Sequence, residues 1–249
     1  MESGFHYIEK VRLSKMPPRD SYLSKLSAVK NLAAMDELSF EDVTFIVGEN
    51  GSGKSTLLEA IAVAAGFNPE GGTKNFSFGT YDSHSELSDH ITLSKGPYRP
   101  KDGFFLRAES FYNVASYIEE IDKLPAASPH VIDGYGGRSL HEQSHGESFL
   151  AVIKNRFFGN GLYILDEPEA ALSPTGIMSL MVVMHDLIGK NSQFIISTHS
   201  PILMTYPDAL LYELGEKEIR RISYRETSHY MITKRFLNDP EKMLGQLFE

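Results

Sequence analysis

Gly48-Glu49-Asn50-Gly51-Ser52-Gly53-Lys54-Ser55 is a glycine-rich octad of the form G-x-x-x-x-G-K-[ST], followed by Thr56. The run before it, Val43-Thr44-Phe45-Ile46-Val47, has the apolar composition of a buried strand. The run after it predicts a helix starting at Lys54 or Ser55: Leu57, Leu58, Ile61 and Ala65 share one face, and Gly66 supplies a stop. Strand, loop and helix are the context in which such an octad cradles phosphate. Its glycines let backbone N–H groups wrap a phosphate chain, and the helix N-terminus adds partial positive charge. Gly48, Asn50, Gly51, Ser52, Gly53, Lys54, Ser55 and Thr56 are therefore candidate contacts to a nucleoside triphosphate. The pattern places Lys54 on the β- and γ-phosphates and the Ser55 hydroxyl on a magnesium ion.

At 249 residues the chain is long enough to bury a full core, and a single domain over 1–249 is expected. A net charge of −9 argues against a general nucleic-acid coat. One basic stretch stands out, with Lys10, Arg12, Lys15, Arg19, Lys25 and Lys30 against Asp20 alone; it reads as a solvated surface or as a binding patch. The absence of cysteine excludes disulfides and thiolate metal sites. No apolar run approaches the roughly 20 residues that cross a bilayer, and Met1 to His6 lacks the pattern of a signal peptide. A cytoplasmic protein without direct membrane insertion is expected.

Along the chain, Tyr7 to Leu13 reads as a strand, and residues 20 to 40 are mixed with a short helix. Residues 67 to 103 are rich in Gly, Ser, Asp and Pro and are read as a small β insertion, with strands at Asn75–Phe78 and His90–Ser94. A strand is expected from Gly103 to Ala108 and a helix from Phe111 to Ile121, followed by a loop from Pro125 to Gly137 and a second helix from Glu147 to Phe158. Ser173-Pro174 and Ser200-Pro201 both read as helix starts. Leu162–Leu165 and Gln193–Ser197 read as short buried strands, and Leu210–Leu214 with Glu218–Tyr224 as a hairpin. Helices close the chain, the last beginning at Asp239-Pro240. Strands alternating with helices indicate an α/β fold with a largely parallel central sheet, an antiparallel β portion and a helical segment over 111–158.

Leu162-Tyr163-Ile164-Leu165-Asp166-Glu167 is an apolar strand ending in two acids. In a phosphate-loop protein, Asp166 is placed to hold magnesium directly or through water, and Glu167 to polarise an attacking water as general base. The run continues as Pro168-Glu169-Ala170-Ala171-Leu172-Ser173-Pro174. It resembles the second nucleotide motif and following D-loop of ATP-binding cassette (ABC) ATPases. Ser197-Thr198-His199-Ser200 resembles their switch histidine, and Ser144-His145-Gly146-Glu147-Ser148 stands in the place of their signature loop. The motifs occur in the family's order across essentially the whole chain.

The resemblance implies ATP and Mg2+ as cofactors and an ATP-dependent homodimer. In such ATPases the signature loop of one subunit closes over the nucleotide of the other, so that Ser144, Gly146 and Glu147 would act in trans. His199 would contact the γ-phosphate and the attacking water in cis. The chain departs from the family at Gln143 (usually Leu), His145 (usually Gly), Glu147 (usually Gln) and Ser173 (usually Asp). No Q-loop glutamine is evident; Glu109, after the Gly103–Ala108 strand, is the substitute and a further candidate magnesium ligand. Phe5 and Tyr7 are candidates for stacking on adenine, with core packing an equal account of both.

His141-Glu142-Gln143-Ser144-His145 also satisfies H-E-x-x-H, which would hold zinc on a continuous helix; Gly146 and the loop-like Gly134-Tyr135-Gly136-Gly137 argue against that helix. Only about 33 residues separate Phe111 from Ser144, about 50 Å even as continuous helix, so no long coiled-coil arm fits. A bare ATPase head remains, similar to small stand-alone bacterial ATPases of the AAA/SMC-like non-transport branch. Three roles are compatible with it. One is a soluble ATP-gated switch, another the ATP-binding subunit of a transporter. The third is a nucleotide-regulated binding module acting on a protein partner or on nucleic acid, as in repair or defence.

Overall fold

The computed structural model describes residues 6–74, 85–123 and 130–249. The strands are β1 (Ile8–Leu13), β2 (Leu38–Ser39), β3 (Val43–Gly48), β4 (Ile91–Lys95), β5 (Asp102–Arg107), β6 (Gly161–Asp166), β7 (Gln193–Ser197), β8 (Leu210–Leu214) and β9 (Ile219–Arg221). The α-helices are α1 (Ser27–Ala34), α2 (Lys54–Ala64), α3 (Phe111–Asp122), α4 (His145–Arg156), α5 (Pro174–Ile188), α6 (Ser228–Asn238) and α7 (Pro240–Phe248). A central sheet runs β5-β6-β7-β3-β8-β9, parallel except for the β8–β9 hairpin, and a three-stranded antiparallel sheet runs β2-β1-β4.

The buried strands are apolar on both faces because both faces are covered. Alternation sends Phe45, Phe104, Tyr163 and Phe194 to one side, where Phe111, Phe149 and Leu180 of α3, α4 and α5 pack against them. Ile46, Phe105, Ile164 and Ile195 face the other way, onto Leu57 and Ile61 of α2, Leu32 of α1 and Val11 of β1. Helices cover one face; α1, α2 and the antiparallel sheet cover the other.

The α/β class and the largely parallel sheet agree with the expectation from sequence. Three local readings are corrected. Ile91–Lys95 is a strand, but it pairs with β1 across five positions, so it belongs with the N-terminal strand rather than to a self-contained insertion. The expected strand at Asn75–Phe78 lies outside the described residues. Ser200-Pro201 does not open an α-helix; only a single 3-10 turn, Leu203–Thr205, forms before Tyr206, which is extended ahead of Pro207 as a residue preceding proline must be. The helix expected from Glu147 begins two residues earlier, at His145. Within the basic stretch, Lys10 pairs with Glu37.

One side chain joins the two sheets. Gln193, fully buried at the start of β7, accepts from the N–H groups of Tyr7 (2.9 Å) and Ile8 (3.0 Å). Its amide donates to the carbonyls of Ile8 (2.8 Å) and Glu41 (3.2 Å). Four backbone groups that β-pairing leaves open are thereby satisfied. Tyr7, offered from sequence as a stacking residue, is spent here: its ring is buried and its hydroxyl donates to the Asn191 carbonyl at 2.7 Å. Phe5 lies outside the described residues. Gln193→Leu, which keeps the volume and removes both polar ends, is expected to lower the unfolding free energy by about 2–4 kcal/mol. Urea unfolding reads this; a loss below about 0.5 kcal/mol would mean that the bridge carries no weight.

Candidate active site

The parallel register sets the carboxyl ends of adjacent strands level with one another. Ile46 of β3 pairs with Ser197 of β7, Ser197 with Asp166 of β6, and Asp166 with Arg107 of β5. The glycine-rich octad leaves β3 at this edge. Gly48 turns it at φ 148°, where a Cβ would stand 2.7 Å from the Leu214 carbonyl oxygen, and Gly53 enters α2 at φ 94°. Lys54 is buried, and its ammonium donates to the carbonyls of Gly48 and Glu49, both at 3.0 Å. Burial lowers its pKa, and the negative charges of Glu167, Asp166 and Glu169 oppose the shift. The Ser52 hydroxyl is buried without a partner. The loop opens on a cleft of about 470 Å³, bounded by Gly48 to Ser52 and, opposite, by Glu213, Gly215 and Ser228.

Asp166 is buried. Its Oδ1 accepts from the Ser197 hydroxyl at 2.5 Å, and its Oδ2 lies 3.5 Å from Arg107 Nε. Arg107 also binds Glu59 Oε2 of α2 at 2.6 Å. Glu167 follows in the left-handed region, at φ 48°, and its N–H donates to both the Ser197 carbonyl (3.2 Å) and hydroxyl (3.1 Å). That turn leaves Asp166 against Ser197 and Arg107 and brings Glu167 beside His199. Burial raises the Glu167 pKa, with the Asp166 charge adding to it and Lys54 opposing. A carboxylate so shifted is a better proton acceptor than a free one. The hydroxyl of Ser55 and the carboxylate of Asp166 are hard oxygen donors of the kind magnesium takes.

His199 follows β7 and sits over the same edge. Its Nδ1 is 2.8 Å from His229 Nε2, and its buried Nε2 stands 3.3 Å from Glu167 Oε1 without an aligned hydrogen bond. Glu169 holds the loop: one carboxylate oxygen accepts from the His199 N–H and the other from the Thr198 hydroxyl at 2.9 Å. Burial raises the Glu169 pKa in spite of these bonds. Sequence reading passes over Arg107 and His229, and considers Glu169 only as a conceivable third zinc ligand beside His141 and His145. Arg107 falls within the predicted Gly103–Ala108 strand and Glu169 within the Asp-Glu-Pro-Glu run, but an ion pair or a loop clamp leaves no spacing pattern. His229 lies thirty residues beyond His199, and only the folded chain joins them.

The signature-like segment lies elsewhere on the surface. Ser144 caps α4 in a closed capping box: its N–H (3.1 Å) and hydroxyl (2.7 Å) both donate to Glu147 Oε2, and the Glu147 N–H returns to the Ser144 hydroxyl at 3.4 Å. The hydroxyl and amide hydrogen bonds hold the Glu147 pKa below the usual carboxylate value. Gly146 allows close approach, since a Cβ there would lie 3.0 Å from the Ala171 carbonyl oxygen. Ser144, Gly146 and Glu147 share a cleft with Leu172, Ser173 and Gly176; it has no lining residue in common with the glycine-loop cleft. Glu109 is 88 % exposed, with Arg107 Nη2 at 3.8 Å. His141 and His145 fall on a 3-10 turn and on the first turn of α4, each stacked on Tyr112, and not on one continuous helix. No helix among the described residues is long and apolar enough to cross a membrane.

Two family models match the chain: an AAA domain over residues 35–123, and an AAA domain described as putative AbiEii toxin, type IV TA system, over residues 130–205. Together they take in the glycine-rich octad, Asp166, Glu167 and His199. Both matches are to AAA-type domains, and with the relatives below they support an ABC-type P-loop ATPase. An energy-coupling factor transporter ATP-binding protein, EcfA, of Methanosphaera stadtmanae is 28% identical over 218 residues, 82% of this chain and 77% of that protein. The chain also shares its fold with solved structures. Cassette cbiO1 of Clostridium perfringens matches at TM-score 0.50 and 19% identity, covering 98% of this chain and 99% of that one. A nucleotide-free ATP-binding cassette from an ABC transporter matches at TM-score 0.50 and 19% identity, covering 94% and 97%.

Burial, assisted by the charge of Lys54, pushes the His199 pKa down to about 4. The unfolded value is about 6.5, so as pH falls the unfolded chain takes the proton first. The imidazole is thus neutral in the folded protein at neutral pH, and its contribution to stability is lost as pH drops from about 6.5 toward 4. An NMR titration of the folded protein is expected to find no His199 protonation step above about pH 5. A midpoint near 6.5 would overturn the assignment.

Proposed function

We propose that the ATPase binds Mg-ATP at the glycine-rich loop and hydrolyses it at a composite site completed by a second copy, and that this cycle makes it an ATP-gated dimerising switch. The observation that carries the reading is the division of the surface. Lys54, Asp166, Glu167 and His199 converge on one strand edge, while Ser144, Gly146 and Glu147 line a separate cleft of the same chain. A site that needs both groups around one γ-phosphate needs two chains.

In this reading the amides from Gly48 to Thr56 and the Lys54 ammonium hold the β- and γ-phosphates. Nucleotide oxygens replace the Gly48 and Glu49 carbonyls as acceptors for Lys54, and the unpartnered Ser52 hydroxyl gains one. Ser55 and Asp166, with Glu109 as a further candidate, hold Mg2+, which neutralises charge on the phosphate oxygens when bound. Glu167 takes a proton from water as that water attacks the γ-phosphorus. His199 Nε2, already buried without a partner, donates to a γ-phosphate oxygen. From the second copy, Ser144, the Gly146 amide and the α4 N-terminus approach the same phosphate, and the Ser144–Glu147 capping box opens to release the hydroxyl.

A second reading, the ATP-binding subunit of a transporter, is favoured by the similarity to the energy-coupling factor transporter ATP-binding protein EcfA. Recovery of the native protein from membranes with an integral-membrane partner would decide for it over a soluble switch.

Glu167→Gln is expected to lower turnover at least about 100-fold while keeping ATP affinity. With saturating Mg-ATP it is expected to run as a dimer in light scattering, because the step that reopens the dimer is blocked. If it stays monomeric, the two-chain site is wrong. Lys54→Ala is expected to lose nucleotide binding and so to stay monomeric under the same conditions.

A further inference from the structure

His229 belongs to none of the motifs above, yet its Nε2 is 2.8 Å from Nδ1 of His199 and the two rings meet edge to face, with centroids 4.8 Å apart. The direction of that hydrogen bond follows from the neighbours. Nε2 of His199 faces a Glu167 carboxylate oxygen at 3.3 Å, an approach that is attractive only if Nε2 carries the hydrogen. In the neutral ring Nδ1 is then the acceptor, and His229 Nε2 is the donor. We propose that His229 is a positioning residue for the switch histidine: its Nε2–H locks His199 in the Nε2–H tautomer, aimed at the phosphate side. This rests on the role given to His199 under Proposed function.

Both rings sit on anchored backbone. The His199 N–H is held by Glu169, and Thr198 Oγ1 accepts from the Ser200 N–H at 3.0 Å. Ser200 in turn accepts from Leu203 N–H through its hydroxyl (3.3 Å) and from Met204 N–H through its carbonyl (3.1 Å). The sulfur of Met204 lies 3.7 Å from the hydroxyl of Thr227, the fully buried N-cap of α6, and His229 is in the first turn of that helix. The switch loop and the start of α6 are therefore one connected piece, and the histidine pair spans its open side. Charged groups around His229 are Lys54, Glu213 and Glu49; burial and Lys54 disfavour its cationic form, so that two neutral rings share one proton direction. An imidazole free to rotate or to exchange tautomers would present a lone pair, rather than an N–H, to an anionic oxygen for part of the time.

The test uses the full-length protein with Mg-ATP. His229→Leu is expected to lower kcat about 10- to 100-fold with KM for ATP changed less than about threefold, as expected for an outer partner that only orients its neighbour. His229→Gln, whose amide reaches the same place as Nε2, is expected to restore turnover to within about threefold of the parent. In a His199→Ala background His229→Leu is expected to add nothing further. Nitrogen-15 NMR is expected to find His199 as the Nε2–H tautomer in the parent and a tautomer mixture in His229→Leu. Full turnover in His229→Leu alongside loss in His199→Ala would overturn the proposal. So would an equal loss from His229→Leu with and without His199, or an Nδ1–H tautomer in the parent. Full turnover in His199→Ala would instead overturn the role given to His199 itself, leaving the NMR tautomer to judge the hydrogen bond.

Discussion

Ser197 is the residue on which the site hangs. In the parallel ladder it stands between Ile46 and Asp166, so its position sets the level of the phosphate-loop strand against the acidic strand. Its hydroxyl fixes an Asp166 oxygen, and its carbonyl and hydroxyl together receive the Glu167 N–H. That double acceptance offsets the left-handed backbone of Glu167, a conformation that costs a non-glycine residue about 1–2 kcal/mol. Without the turn, consecutive side chains would alternate across the sheet, and the two carboxylates would point to opposite faces. The strain at Glu167 is thus what allows two adjacent acids to serve one edge.

Carboxylates are concentrated at this edge. Asp166, Glu167 and Glu169 lie within a few residues of one another, and burial raises the pKa of both glutamates. Lys54 and Arg107 face them, but Arg107 is also bound to Glu59 and Lys54 to two carbonyls. A triphosphate alone would meet acids; a magnesium complex meets hard oxygen ligands and a lysine. The neutral imidazole of His199 adds no positive charge to offset these acids.

The parts of the molecule that are legible in sequence are those held by local rules. The glycine-rich octad is visible because φ values of 80–148° at Gly48, Gly51 and Gly53 demand glycine, and α5 because Ser173 and Pro174 meet a helix start's own needs. The buried strands are visible as unbroken apolar runs. Ser200-Pro201 carries the same start signal and fails, because Pro207 arrives before a second turn can form. Ile91–Lys95 reads as a strand, but its partner, more than seventy residues away in β1, leaves no mark within it. The same limit hides His229 from His199 and Arg107 from Glu59. Such pairs are chosen by topology, and topology is not periodic.

Gln193 carries a consequence for the order in which the chain comes together. Its amide binds Tyr7 and Ile8, about 185 residues away, and β3 lies between β7 and β8 in the central sheet. During synthesis β1 can meet β2 and β4 early, but neither the antiparallel sheet nor the phosphate-loop strand has its final neighbours until residues beyond 193 have emerged. Contacts of such long separation close late and slowly. The glycine-rich loop at residues 48–55 therefore gains the final neighbours of its strand only after residues 193–214 have been made.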